Sequence, residues 1–533
     1  MFLEIVREYA RKHPWIMTAN VAMMGFAPLS DVYLPHLYGK LVDAIEKGIN
    51  PTRIIVIVVV VLIIVQTGFF IRDYLDSKIF PVFESITREY IMRRIFEKYE
   101  GNYVEINAGE VISKIVDTPG VIKGWFSLIN DWLIPYVLVL IVAIIYLAFY
   151  DAFLSMFLLV FTLLIAFMFL TLPKRCLMIS MQRENAYDAL NEQFDEVFRN
   201  LASVYSCEQQ KAEEDRLQKL CDVYSKTYTS TMMCTLKCKL FSTPLIPLFL
   251  IAFAMRCVQL INQKKMDATK FTSIFIVVTF MLGNISWIVA LMRSQVFDLG
   301  ILSSTMEYLA MPPTQFYQSM NLTKEENNKD KLGLVNVTYK YGDKVVIDNM
   351  TMSFEPGQRT VITGPIGAGK STLLKLLMRF YEPSEGDLFI DNTWYSTMSN
   401  KQVRRKIGYV PQDPILFNRS IIENIMYGNS KSNTDEVRRI VSSLGIYEDL
   451  DASVGKSGSR LSGGQRQLVW CLRVLFRDPE VIIMDEPTAS MDDTTKKVLV
   501  QLLSTLGRNK TILMVTHDDF LINSATRKIN LRM

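Results

Sequence analysis

The chain has 533 residues, long enough for two or more domains. Half of its residues are hydrophobic, an excess confined to about the first 300 positions and unusual for a soluble protein. The formal net charge of +4 implies neither a nucleic-acid partner nor an acidic surface to bind.

Six membrane-spanning helices are expected in this first part. Pro14 to Gly39 is the first, and it contains Asp31. Ile54 to Ile71 is uncharged, lies between Arg53 and Arg72, and opens with twelve residues that are all Ile, Val or Leu. Strands seldom exceed about ten residues, whereas about twenty apolar residues cross a bilayer. Trp132 to Tyr150 and Ala152 to Pro173 are separated only by Asp151, which predicts a tight hairpin through the membrane. Phe241 to Gln263 contains Arg256, and Phe271 to Met292 is closed by Arg293. A charge inside a span faces the protein interior or a wet cavity. Asp31, Gln66, Arg256, Asn284, Arg293 and Gln295 are therefore either the lining of a polar path or structural groups between helices. The long segments 73–131 and 174–239 read as helical extensions beyond the bilayer. The first span is expected to serve as the insertion signal.

Seven cysteines occur, at 176, 207, 221, 234, 238, 257 and 471. All fall within spans or on the side of the long extensions. If that side is the cytosol, disulfides are not expected. Cys234 and Cys238 lie four apart on a predicted helix, but with no histidine nearby the pair is not read as a metal site.

Pro312-Pro313 and the polar run Lys324–Asp330 mark a linker, placed at 314–331. This predicts an α-helical six-span transmembrane domain over 1–313, followed by an α/β P-loop NTPase domain over 332–533. Within the latter, Gly364-Pro365-Ile366-Gly367-Ala368-Gly369-Lys370-Ser371-Thr372 fits the phosphate-binding P-loop pattern. Its glycines let several backbone N–H groups face phosphate, Lys370 supplies a compact positive charge, and Ser371 can ligate Mg²⁺. Val481 to Met484 is an apolar strand ending in Asp485 and Glu486. In a P-loop fold this places Asp485 to hold Mg²⁺ and Glu486 to polarise an attacking water. Leu461-Ser462-Gly463-Gly464-Gln465 opens a predicted helix whose N-terminus suits phosphate.

The last motif, some twenty residues before Asp485, resembles the signature of ATP-binding-cassette (ABC) proteins. The resemblance implies further roles. Tyr341 matches the aromatic that stacks on adenine. Gln412 matches the Q-loop glutamine that reaches Mg²⁺ and the attacking water. Ala489-Ser490-Met491-Asp492 resembles the D-loop, with Met491 where Leu is usual. His517 matches the switch histidine on the γ-phosphate. The phrase from Ile407 to Asp413, continuing through Leu416-Phe417 and Ile422–Ile425 to Tyr427-Gly428, looks like the exporter branch that includes P-glycoprotein and the peptide, lipid and heavy-metal half-transporters. Asn107–Glu110 resembles the entry to that family's first coupling region. Lys456 departs from it, standing where Glu is usual in the loop before the signature.

What the resemblance implies is an ATP-hydrolysing half-transporter that uses ATP and Mg²⁺, is embedded in membrane lipid and exports an unidentified substrate by alternating access. One chain carries one P-loop and one signature, so complete sites need a second half-transporter, and a homodimer is favoured over a heterodimer. The ATPase domain and both termini are expected in the cytosol, which the Lys- and Arg-rich inner segments support. The alternative is an ATP-gated channel or regulator on the same architecture. A soluble nucleic-acid-acting ATPase is excluded by the six spans. Peptide, lipid, thiol conjugate and xenobiotic all stay open as cargo, as does the membrane of residence.

Overall fold

A computed structural model of the protein describes residues 1–101, 108–172, 174–310, 330–429 and 433–531. Asn107 and all but the end of the expected linker lie outside them. The chain divides into two compact units, a helical one up to Ala310 and a second that carries all the strands.

Among the described residues of the first unit, five helices are long and apolar enough to cross a membrane: Thr52–Tyr99, Lys114–Ala148, Ala152–Arg199, Gln210–Asn262 and Lys270–Leu291. The expected first span is helical too, but broken into Pro14–Met23, Phe26–Pro28, Leu29–Tyr33 and Leu34–Glu46. Leu29–Tyr33 is a π-bulge, and a second one occupies Leu128–Leu133. Each sits just before a proline, Pro35 or Pro135. A proline has no N–H for the carbonyl four residues back, and its ring crowds that carbonyl. A wider turn relieves both problems. In both cases the residue four back is an aspartate, Asp31 or Asp131.

The hairpin expected at Asp151 is present, joining the helices Ile134–Ala148 and Ala152–Thr171. Asp151 caps the second helix, accepting from the Leu154 N–H at 3.0 Å, and its other oxygen pairs with Arg256 at 3.0 Å. The Arg256 guanidinium also lies 5.0 Å from the Phe153 ring centroid. Arg256 is thus a structural group. Asn284 donates to Asp31 at 2.6 Å, joining the first and last spans. Gln295 is buried, Gln66 is exposed, and the Arg293 side chain lies outside the described set.

One expectation is overturned: Cys176 and Cys234 form a disulfide. The residues are 58 apart in sequence, but the helices Lys174–Arg199 and Gln210–Ser242 pack side by side and bring their Cα atoms to 5.8 Å. Nothing local in the sequence encodes that register.

The second unit holds two sheets. The strands are β1 (Leu332–Tyr341), β2 (Lys344–Phe354), β3 (Arg359–Thr363), β4 (Glu385–Ile390), β5 (Thr393–Trp394), β6 (Ile407–Val410), β7 (Val481–Asp485), β8 (Thr511–Val515) and β9 (Arg527–Asn530). An antiparallel sheet runs β2-β1-β4-β5, and a parallel one runs β6-β7-β8-β3-β9. β7 and β8 are buried at every residue, as expected for central parallel strands covered on both faces. The helices Lys370–Leu377 and Gly463–Arg477 supply Leu373, Leu374, Leu468 and Leu472 to the core on its two sides.

Helix approach in the first unit depends on small residues. A Cβ at Gly39 would lie 1.6 Å from Ser273 Oγ and 2.9 Å from its Cα, whereas one at Gly283 would meet nothing within 4 Å. Gly39→Ala is expected to destabilise the detergent-solubilised protein by about 1–3 kcal/mol. Gly283→Ala should leave its melting temperature unchanged or slightly raised, since Ala suits a helix better than Gly.

Candidate functional site

The parallel sheet explains why motifs far apart in sequence converge. In such sheets ligands bind beyond the carboxyl ends of the strands. Here β3 runs into the P-loop, β6 into Gln412, β7 into Asp485 and Glu486, and β8 into His517.

The P-loop backbone needs its glycines. Gly364, Gly367 and Gly369 have φ of 153°, 88° and 79°. A Cβ at Gly364 would meet the Leu531 carbonyl oxygen at 2.6 Å. Pro365 and Ala368 close a turn, with the Ala368 N–H donating to the Pro365 carbonyl at 3.3 Å, and Ile366 stands almost fully exposed. Gly369 is the N-cap of the helix Lys370–Leu377. Lys370 Nζ donates to the carbonyls of Gly364 at 2.7 Å and Pro365 at 3.0 Å, so the loop is wrapped around its own cation. Thr372 is buried behind it.

Asp485 is buried at the end of β7, where the Ser371 side chain hydrogen-bonds it. Burial pushes its carboxyl above the usual range, against the pull of that hydrogen bond and of the Lys375 and Lys370 charges. A buried carboxylate beside a serine hydroxyl, both oxygen donors, fits a hard cation such as Mg²⁺. The glycine-lined loop and the helix N-terminus fit a polyphosphate. Glu486 has φ of 43° and is held by its N–H to the Val515 carbonyl at 2.8 Å. That bond ties it to the end of β8, and His517 Nε2 lies 3.9 Å from Glu486 Oε1.

Tyr341 is half-exposed at the end of β1, edge-on to Tyr339 and Tyr381 with ring centroids 5.0 and 5.7 Å away. A side-chain hydrogen bond joins it to Thr372 and so to the P-loop helix. Gln412 is exposed on the loop after β6. Two residues not anticipated from sequence hold that loop. Gln467 Nε2 donates to the Pro411 carbonyl and Trp470 Nε1 to the Tyr409 carbonyl, both at 2.9 Å. Both belong to the helix that begins at the signature, so the Gln412 loop and the signature are mechanically joined.

Ser462 caps that helix reciprocally with Gln465: the Gln465 N–H donates to Ser462 Oγ at 3.2 Å, and the Ser462 N–H donates to Gln465 Oε1 at 3.0 Å. A Cβ at Gly463 would be 2.9 Å from Ser490 Cβ, and one at Gly464 would be 3.0 Å from the Ser490 carbonyl oxygen. The two glycines are thus required by the close approach of the 489–492 segment.

Two polar cavities lie among the described residues of the helical unit. One of about 560 Å³ is lined by Asp31, Arg72, Asp73, Asp76, Asp131 and Asn284 among others. Arg72 pairs with Asp131 at 2.7 Å, and both π-bulges deliver their aspartates here. The other, about 460 Å³, includes Gly120, Gly124, Arg183, Glu184 and Asp298. Arg183 and Glu184 are buried and paired at 2.9 Å. Of the six polar residues proposed for a path, Asp31 and Asn284 line the larger of these cavities. The charged residues Arg72, Asp73, Asp76 and Asp131 that also line the larger cavity stand outside the expected apolar spans, where charge gave no signal.

The chain matches the ABC transporter family over residues 347–489 and the ABC transporter transmembrane region over residues 21–285. It is 36% identical over 197 residues to the heterocyst differentiation ATP-binding protein HepA of Nostoc, a stretch that is 36% of this chain and 32% of that protein. It is 35% identical over 197 residues to human ATP-binding cassette sub-family B member 6, again 36% of this chain but 23% of the relative. The matched stretches thus span a third or less of these relatives' length. A bacterial Atm1-family ABC exporter solved with ATP bound shares the fold at a TM-score of 0.84 and 20% identity, covering 98% of this chain and 94% of that one. With one family match on each unit and membrane-length helices in the first, the chain is an integral membrane protein that belongs to the ABC transporters.

Proposed function

We propose that this chain is one half of an ATP-driven exporter, working as a dimer with its ATPase unit in the cytosol. The observation that carries the reading is the Asp485-Glu486 strand end: a buried carboxylate bonded to Ser371, followed by a glutamate facing His517 at 3.9 Å. Those are the groups needed to hold Mg²⁺ and to activate water, and both are present.

In this reading the P-loop N–H groups and Lys370 bind the phosphates, and Tyr341 stacks on the base. Lys370 exchanges its contacts with the loop carbonyls for the β- and γ-phosphates. Ser371 and Asp485 hold Mg²⁺, with Gln412 completing its surroundings. Mg²⁺ supplies charge neutralisation on the phosphate oxygens. Glu486 accepts a proton from the attacking water, and His517 orients the glutamate and the γ-phosphate. Ser462, Gly463, Gly464 and Gln465 meet the nucleotide of the partner copy, which is why one chain alone is incomplete. Closure stabilised by ATP shifts the membrane unit between two access states only because ATP binds the closed state better. The helix from Thr52 to Gly101 is 50 residues long, about 75 Å at 1.5 Å per residue, long enough to carry that motion beyond the bilayer.

Glu486→Gln is expected to keep ATP binding and lose turnover by at least about 10²-fold, measured on the purified chain in lipid. Turnover comparable to the parent would remove Glu486 from the role of base. Asp485 gives a second test. Its raised folded-state pKa means the ionised form is disfavoured in the empty site, so stability is lost as pH rises past the unfolded value. Asp485→Asn should therefore raise the melting temperature of the nucleotide-free protein at neutral pH while abolishing Mg²⁺-dependent ATP retention. In the parent chain that retention should fall on acidification at a higher pH than an ordinary carboxylate would give.

A further inference from the structure

Away from the nucleotide site, three cysteines converge. The Sγ atoms of Cys176, Cys234 and Cys238 all lie within 4.8 Å of one another. Cys176 begins one helix of the Lys174–Arg199/Gln210–Ser242 pair, and the other two lie one turn apart on its partner. Cys176 and Cys238 are buried with Val296, against Phe169 and Leu172, while Cys234 is only partly buried and gives a way in. The pair disfavoured from sequence alone thus gains a third sulfur from a residue 58 positions away.

A disulfide uses two of these sulfurs and leaves the third outside it, with the Cys238 thiol donating to the Leu172 carbonyl at 3.6 Å. Cys238 Sγ is 3.8 Å from Cys176 Sγ. Two thiolates sharing one ion at about 2.3 Å each stand about 3.8–4.0 Å apart. The structure holds the oxidised form, with Cys176 and Cys234 bonded; with the ATPase unit in the cytosol, as proposed above, the same cysteines face a thiol-reducing compartment that opens that bond.

We propose that Cys176, Cys234 and Cys238 form a resident all-thiolate site for a soft closed-shell cation, Cu(I) or Zn(II), that staples the two helices. The site forms from the disulfide in balanced steps. A low-molecular-weight thiol reductant delivers two electrons and two protons to the Cys176–Cys234 bond and leaves as its own disulfide. The cation then displaces the thiol protons to solvent. Three sulfurs in an apolar surround satisfy Cu(I) outright, while Zn(II) needs a fourth ligand, for which the Cys234 side leaves room for water.

The test uses the full chain in detergent, reduced with a phosphine and titrated with Cu(I) or Zn(II) against a chromophoric chelator. The baseline is the triple variant Cys176→Ser, Cys234→Ser, Cys238→Ser. The parent is expected to take up one cation per chain more than this baseline, with either ion, and metal analysis of the chain purified without added metal identifies the occupant. Cys238→Ser leaves Cys176 and Cys234 in place, so metal held by that reduced pair alone predicts no effect of it. The metal site predicts at least about tenfold weaker uptake, since even indirect partners of a metal cost that much. Equal uptake by parent and triple variant overturns the proposal. So does alkylation at cell lysis that finds Cys176 and Cys234 already bonded in the native membrane. Because the titration is done on reduced protein and reads metal, its failure leaves the ATPase reading untouched, and an inactive ATPase would not mask a positive result.

Discussion

A carboxylate buried at the end of a β-strand dominates the second unit. Asp485 sits where water is scarce, and its ionised form is stabilised only by a serine hydroxyl and by lysines on the neighbouring helix. Those groups reach it because β3 lies two strands away in a parallel sheet and its outgoing loop curls back over the strand ends. The glycines of that loop, the cap of its helix and the tyrosine braced against Thr372 all follow from holding Lys370 and Ser371 in that position. With its carboxylate buried, the arrangement is a local cost, and the rest of the unit's core carries it.

The membrane unit meets the same difficulty differently. Its polar groups are paired across helices: Asn284 donates a hydrogen bond to Asp31, and Arg72 and Arg256 form ion pairs with Asp131 and Asp151. Buried pairs of this kind add little net stability, because desolvation offsets much of the attraction, but losing one partner is costly. They therefore fix which helices face each other more than they hold them together. The repeated spacing of an aspartate four residues before a proline makes two such groups available at widened turns, where a regular helix would not present them.

How much of this was legible in the sequence depends on the range of the interaction. The P-loop, the Asp485-Glu486 strand end, the signature cap and the Asp151 turn are local, each written within ten residues, and the structure has the P-loop turn, strand, cap and hairpin there. The first span was harder to read, since its hydrophobicity says membrane while Gly25, Pro28 and Pro35 segment it. Gln467 and Trp470 were missed because their partners are backbone carbonyls about 60 residues earlier, and a carbonyl has no sequence signature. The cysteine cluster failed for the same reason: its third member joins only through the register of two long helices. Arg183 and Glu184 lie in a segment rich in charge, where one more charged residue carries no signal, and Asp298 lies beyond the last expected span.

Glu486 combines a demanding side chain with an unsuitable backbone. A non-glycine residue at a φ of 43° stores strain on the order of 1–3 kcal/mol, which the hydrogen bond to Val515 and the packing of β7 and β8 must absorb. Glycine would adopt that conformation freely. Fold and chemistry thus favour different residues at one position. A library selected only for heat resistance would drift toward glycine there and, on the role proposed for Glu486, collect well-folded, inert proteins, so thermostability is a misleading guide for anyone improving this chain as a tool.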